Sequence, residues 1–380
     1  MNFEFTEEQQ MLRESLARFL REKYDFETRQ KIIASDEGWS QEVWAQFSEI
    51  GLMAAAFPEE YDGFGGTAVD LSVIMEEFGR GLVVEPYLPT VVLAGGTLLE
   101  VGGAHAKELI PQISAGEIIM GLAYAEPHSR FDLCHVETKA EKQGGDYVLT
   151  GRKAVVLAAN IADKLIVAAR TSGDIRDEDG ISLFLIDKNT DGLTIEGYPT
   201  MDGLQAGDVI LENVCVPAAN LIGEEGKAFP VIEKVIDRAI IGLSAEAMGV
   251  CQKICDLTGE YTRSREQFGT PIAQFQVLQH RMVDMFIFKE EMTSMAYMAA
   301  MKADTDGHDT RIAASMVKVQ LGKSCKFIGE SAVQLHGGMG ITEEMAVGHY
   351  FMHATMMDTL FGNGDHHQKR YERLTGLRAA

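Results

Sequence analysis

Apolar residues recur three and four positions apart from Phe5 to about Gly116, the spacing of one face of a helix. Thr6 and Gln9 make a capping box ahead of Met11-Leu12, Leu16-Ala17 and Phe19-Leu20, so a first helix starts there. Trp44, Phe47, Ile50 and Leu52 predict a second helix, and Asp70–Arg80 a third. Further helices are expected over Pro86–Val101 and Ala104–Ser114. From Ile118 to about Leu221 the pattern shortens. Met120–Tyr124, Val136–Glu141, Tyr147–Thr150, Leu165–Ala169, Ile181–Ile186, Leu193–Ile195 and Val209–Val216 are strand-like runs bounded by Gly, Asp and Asn. No helical stretch separates them, which predicts an antiparallel sandwich or barrel rather than a parallel sheet. Long helical periodicity then returns in Phe229–Thr262, Phe275–Thr305 and Arg311–Leu335, with a last helix after Met345.

The expected fold class is therefore α+β. A helical domain spans 1–117, a β domain 118–225, and a four-helix-like bundle 226–380. A stripe of Met282, Met285, Met292, Met295, Met298 and Met301 reads as adaptable core or bundle interface. Three glycines, Gly63, Gly65 and Gly66, punctuate a loop; with no lysine and no preceding strand they read as a turn, not a phosphate cradle.

At 380 residues the chain can build two or three domains. Its formal net charge of −23 excludes nucleic acid and anionic lipid as partners, since both need a basic surface. No run approaches the ~18 apolar residues of a membrane span. The first ten residues are polar and acidic, unlike a secretory signal. Five scattered cysteines fit reduced thiols, and a cytoplasmic protein is the expectation. Cys251 and Cys255 can share a helix face, where small core residues are a simpler reading than a metal pair. His366 and His367 are neighbours that point apart on a helix, so no metal site is expected there.

Three motifs carry the chemistry. They are Arg265-Glu266-Gln267-Phe268-Gly269-Thr270-Pro271-Ile272 with Phe275-Gln276, then Gln334-Leu335-His336-Gly337-Gly338-Met339-Gly340, and Ala125-Glu126-Pro127 through Asp132. In this order and at these distances they resemble motifs of the acyl-CoA dehydrogenase family, and the resemblance covers essentially the whole chain. It implies an N-terminal helical domain, a central β domain, a C-terminal four-helix bundle, and FAD as cofactor. A flavin dinucleotide carries a pyrophosphate, which calls for a fixed cation and backbone amides. The resemblance assigns these to Arg265, Gly337 and Gly338, with Phe268 on the adenosine half and Gln276, Gln334 and Asn363 as further cofactor contacts. In the family such residues reach a flavin held by a neighbouring subunit, so an oligomer is implied.

The ring half departs from the family pattern. The strand Thr near the flavin ring aligns with Ala125, the Ser that helps hold CoA with Phe131, and a glycine with Arg130. The Trp-Ile-Thr segment aligns with Val155-Val156-Leu157. Backbone N–H groups at Ala125 and Leu157 remain available as donors in principle. The chemistry also needs a carboxylate to take the Cα proton of the thioester. Its usual position falls on Phe361, or on Asn363 in another register, and neither accepts a proton. Some family members place the carboxylate before an arginine on an earlier helix, which matches Asp237-Arg238. A structural alternative for Asp237 is an ion pair with Lys234 or Arg238.

Three readings follow. The chain is a subunit of a heteromeric acyl-CoA dehydrogenase that lends the adenosine half of a flavin site. Or it is a self-sufficient homotetramer using Asp237 as base, or a flavin-free module that binds acyl-CoA or a partner. The run Asp358–His367 also resembles small subunits of pimeloyl-CoA dehydrogenases, which points to a heterotetramer and to dicarboxylic or bulky acyl-CoA substrates. The family's usual electron acceptor is an electron-transfer flavoprotein.

Overall fold

The computed structural model describes residues 5–303 and 307–377. Thr305, where the middle long helix was expected to end, and Met1–Glu4 of the polar N-terminal stretch lie outside the described residues. The helices α1 (Glu7–Lys23), α2 (Phe26–Ile33), α3 (Gln41–Glu49), α4 (Ala68–Gly81), α5 (Gly96–Val101) and α6 (Gly103–Ser114) come first. Strands β1 (Met120–Ala123), β2 (Lys139–Gln143), β3 (Asp146–Leu157), β4 (Lys164–Arg170), β5 (Ile181–Asp187), β6 (Leu193–Pro199), β7 (Gln205–Val216) and β8 (Leu221–Ile222) follow. The 36-residue α7 (Phe229–Ser264) leads to a small hairpin, β9 (Glu266–Gln267) and β10 (Thr270–Pro271). The chain closes with α8 (Gln276–Ala303), α9 (Gly307–His336), α10 (Ala346–Thr359) and α11 (Gly364–Thr375). Among the described residues, no helix is long and apolar enough to cross a membrane.

The fold divides into two units. One comprises residues 32–67 and 84–239 and is built on an eight-stranded sheet ordered β6-β7-β3-β2-β4-β5-β8. Most pairings are antiparallel, as the strand spacing predicts. The exceptions are at β4, which β2 meets in parallel at Lys139 and Arg170 and which β1 joins in parallel, with Met120 opposite Lys164. Some forty residues separate β1 from β4, enough for a parallel return without a crossover helix of the usual kind. The continuous apolar runs of β4 and β5 are buried residue after residue, the mark of strands covered on both faces. A π-helical stretch over Leu88–Gly95 runs into α5 and is tied to β1 by Thr90, whose hydroxyl donates to Met120 O at 3.1 Å and accepts from Met120 N at 3.2 Å. In the glycine loop, the amides of Gly63, Phe64 and Gly65 donate back to Pro58 O, Ala54 O and Phe57 O. With those donors turned inward the loop is a turn and not a phosphate site.

The second unit comprises the described parts of 1–31 and 240–380, with 68–83. Its α1 begins at the Thr6–Gln9 capping box, with both reciprocal hydrogen bonds present. Arg13 of α1 reaches Glu76 at 2.6 Å and Glu77 at 3.1 Å on α4. Gly79 and Gly249 let α4 and α7 touch backbone to backbone, since a Cβ at either would lie 2.0 Å from a carbonyl oxygen of the other helix. Met285 and Met292 of the methionine stripe are buried, and the other four are half-buried. The stretch after Met345 forms two helices where one was expected. Phe361 and Gly362 take φ of 60° and 106°, and Asn363 then caps α11 by accepting from His366 N at 3.0 Å. Left-handed residues followed by an N-cap cannot continue a helix, so α10 stops. The buried Lys318 ammonium donates to Met357 O at 2.5 Å and Asp358 O at 3.0 Å, satisfying the C-terminal carbonyls of α10.

Candidate active site

At the end of α7, β9 and β10 pair with Gln267 opposite Thr270, leaving Phe268 and Gly269 as a two-residue turn. Their φ values of 54° and 80° are the left-handed pair that a type I′ turn requires. Glycine adopts this freely; phenylalanine does so at a cost of about 1 kcal/mol or more. Phe268 is nevertheless 95% exposed, touching the edge of Phe275 at a centroid distance of 6.2 Å. The hairpin is closed by Ile272 N donating to Arg265 O at 2.8 Å and braced by Thr270 Oγ1 donating to Gln274 at 2.6 Å. Arg265 itself is exposed, as is Gln276 at the start of α8.

The glycine motif forms the C-terminus of α9. Gln334, Gly337 and Gly338 are exposed, and His336 is 3% exposed. Gly337 has φ 61°, and nothing lies within 4 Å of a Cβ built at Gly337 or Gly338. Gly340, by contrast, packs on its own turn, where a Cβ would meet Val333 O at 2.9 Å and His336 Cβ at 3.0 Å.

Tyr261 brings the two motifs together. Its carbonyl accepts from Arg265 N at 2.8 Å, its ring stacks on His336 at 4.3 Å, and its hydroxyl donates to His336 O at 3.3 Å. Sequence reasoning passed over both Tyr261 and His336. The available signal was their position: Tyr261 lies one helical turn before Arg265, and His336 directly precedes Gly337. An exposed guanidinium, two glycines with open space and an exposed aromatic ring suit a dinucleotide: cation and amides for the pyrophosphate, a flat surface for the adenosine half. These residues fit FAD.

The residues aligned with the ring half lie in the sheet unit. Ala125 follows β1, is half-buried, and its carbonyl accepts from Ala154 N at 2.9 Å. Leu157 ends β3 opposite Ala206 and is buried. Between them β3 bulges, and Val155 takes φ 52°. A β-branched residue there is an outlier, and here it is held from outside. Val155 N donates to Asp208 Oδ1 at 3.1 Å, and Asp208 also accepts from Tyr198 at 2.7 Å and Arg152 at 2.8 Å. Burial and the contact with Asp208 push the Tyr198 phenol up to about 12. Beneath the bulge Lys153, fully buried, donates to Glu126 Oε1 at 2.6 Å, and Glu126 also accepts from Glu137 N and Thr138 N at 2.7 and 3.0 Å. Burial raises the Glu126 carboxyl, but Lys153 and these hydrogen bonds outweigh it and hold the group below its usual value. Arg130 has φ 49°, the conformation the family's glycine would suit, and with His128 it is exposed in the loop.

Of the base positions, Phe361 is half-buried and its carbonyl accepts from His367 Nε2 at 2.9 Å. Burial drives His367 down to about 3, so its imidazole is neutral. Asn363, expected to contact the cofactor, spends its side-chain oxygen capping α11. Asp237 is 1% exposed on α7. Lys234 and Arg238, the cations offered as its ion-pair partners, both pair with Glu100, at 2.6 Å and 3.8 Å. Cys251 is buried with its sulfur 4.0 Å from that of Cys325.

Family profiles match in chain order: "Acyl-CoA dehydrogenase, N-terminal domain" over 6–117, "middle domain" over 121–214 and "C-terminal domain" over 226–372. The chain is similar to the probable acyl-CoA dehydrogenase YngJ of Bacillus subtilis, 31% identical over 364 residues that span 94% of this chain and 95% of the relative. It is also similar to the caffeyl-CoA reductase-Etf complex subunit CarC of Acetobacterium woodii, 31% identical across 90% of this chain and 91% of that one. Among solved structures it superposes on the FAD complex of PigA with a TM-score of 0.91, at 25% identity and full coverage of both chains.

Proposed function

The chain belongs to the acyl-CoA dehydrogenase family, and we propose that it works there as one subunit of a heteromeric, FAD-dependent enzyme acting on an acyl-CoA thioester. One observation carries this reading. The edge made by Arg265, Phe268, Gln334, Gly337 and Gly338 is exposed and open, while the turn at Phe361–Asn363 offers no carboxylate. Bound flavin supplies the acceptor for the hydride that leaves Cβ. Arg265 then neutralises pyrophosphate charge, Gly337 and Gly338 let backbone approach it, and Gln334 and Gln276 add amide hydrogen bonds. Phe268 covers the adenosine half, which offsets the strain of its backbone. The Cα proton goes to a carboxylate of the second chain, because Phe361 cannot accept it. A similar chain, CarC, is itself named as a subunit of a caffeyl-CoA reductase-Etf complex. On the same reading the assembly is a heterotetramer, an electron-transfer flavoprotein takes the electrons, the acyl group is bulky or dicarboxylic, and the location is cytoplasmic.

A second reading retains one specific support. Asp237 is a buried carboxylate on α7, so a homotetramer using it as base has a candidate group. A flavin-free binding module would have no use for a strained, exposed Phe268.

The deciding experiment measures FAD per chain after denaturation, for the protein alone and co-expressed with its partner dehydrogenase chain. The proposal expects no flavin alone and about half an equivalent per chain in the complex, with Asp237→Asn leaving turnover intact. Near one flavin per chain in the lone protein, with turnover abolished by Asp237→Asn, would transfer the function to the homotetramer.

A further inference from the structure

The two halves of the dinucleotide edge come from different helices, and their spacing decides whether Arg265 and the Gly337-Gly338 amides meet one pyrophosphate. We infer that Tyr261 and His336 are positioning residues that hold these halves in register, an inference resting on the reading of this edge as flavin-holding. Tyr261 reaches both sides. Its backbone carbonyl takes the Arg265 amide at 2.8 Å and the Ser264 hydroxyl at 3.1 Å, which fixes where the hairpin leaves α7. Its ring lies on the His336 imidazole at 4.3 Å with an interplanar angle of 24°, and its hydroxyl donates to His336 O at 3.3 Å.

His336 is fixed in turn. Its Nδ1 donates to Ala332 O at 2.8 Å, so the ring cannot rotate freely. Burial lowers its pKa below the usual histidine value, which favours the neutral imidazole in the stack. The glycine turn is folded against the same residue, since a Cβ at Gly340 would lie 3.0 Å from His336 Cβ. The turn thus lies against the same residue whose ring Tyr261 stacks on. The exposed motif residues touch the ligand; Tyr261 and His336 act only through them.

The test uses the flavin-loaded complex and reads FAD release after dilution, by the rise in flavin fluorescence. Tyr261→Leu removes stack and hydroxyl and is expected to speed release about tenfold, the worth of an aromatic pair. Tyr261→Phe keeps the stack and should stay within about twofold of wild type, a rescue that a role in folding alone would not predict. Should the leucine variant fail to assemble, His336→Gln, which keeps a donor for Ala332 but loses the flat ring, is expected to release flavin about tenfold faster as well. Wild-type release from whichever of these assembles overturns the positioning role if Arg265→Ala still sheds flavin. If Arg265→Ala also holds it, the flavin-edge reading itself is wrong.

Discussion

Arg265→Ala should strip the assembled complex of most of its flavin while leaving the fold of the chain intact. The guanidinium is exposed at the base of the hairpin, and Arg265 closes the turn through its backbone, its N–H donating to Tyr261 O and its carbonyl accepting from Ile272 N, both at 2.8 Å. Truncating the side chain thus removes no packing from the unit that carries it. On the proposed reading it removes a charged hydrogen bond to a pyrophosphate, worth about 1.5–3 kcal/mol, or roughly 10- to 150-fold in FAD affinity. Flavin content after gel filtration at micromolar protein is the readout. Arg265→Lys should recover only part of the loss, because an ammonium lacks the planar fork that binds two phosphate oxygens at once. An alanine variant with undiminished FAD would show that this residue is not the pyrophosphate cation.

Lys153→Met is expected to destabilise the sheet unit by about 3–5 kcal/mol, the cost of leaving a buried charge without its partner. Lys153 is fully buried, and Glu126 is 5% exposed. The sign of the pH dependence follows from Glu126. In the wild type its folded pKa lies below the unfolded value of 4.5, so its stabilisation is present above that pH and lost as pH falls through the folded value. Without the ammonium, burial dominates and the folded pKa rises above the unfolded one. Its stabilising share is then present at acid pH and lost as pH rises. The deficit of the variant should accordingly be largest at neutral pH and shrink toward pH 4, as followed by urea unfolding across that range. Glu126→Gln combined with Lys153→Met should regain part of the loss at pH 7, since no unpaired charge remains. A deficit that is flat with pH would mean that Glu126 is not ionised in the folded protein.

The long helices were legible because periodicity is a local property. The capping box at Thr6–Gln9 and the runs that became α7, α8 and α9 needed no distant contact to declare themselves. The break between α10 and α11 was written in Phe361-Gly362-Asn363 as a left-handed pair and a cap, yet the helical period on both sides hid it. The parallel entry of β1 beside β4 was not legible, because register between strands forty residues apart depends on what covers their faces.

The same division holds for the site. Residue types and spacing alone determined the family resemblance, the order of helical, β and helical segments, the motif around Arg265 and Gly337, and the lack of a carboxylate at 361 and 363. Only the tertiary structure decided that Phe268 stands exposed in a left-handed turn, that Lys234 and Arg238 pair with Glu100, that Asn363 serves as a helix cap, and that Tyr261 and His336 join the two motifs. The physical reason is common to all four. A side chain's chemistry belongs to the residue, but its direction and its partner are set by whichever distant groups the folded chain brings within a few ångströms, and competition among those partners has no trace in local sequence.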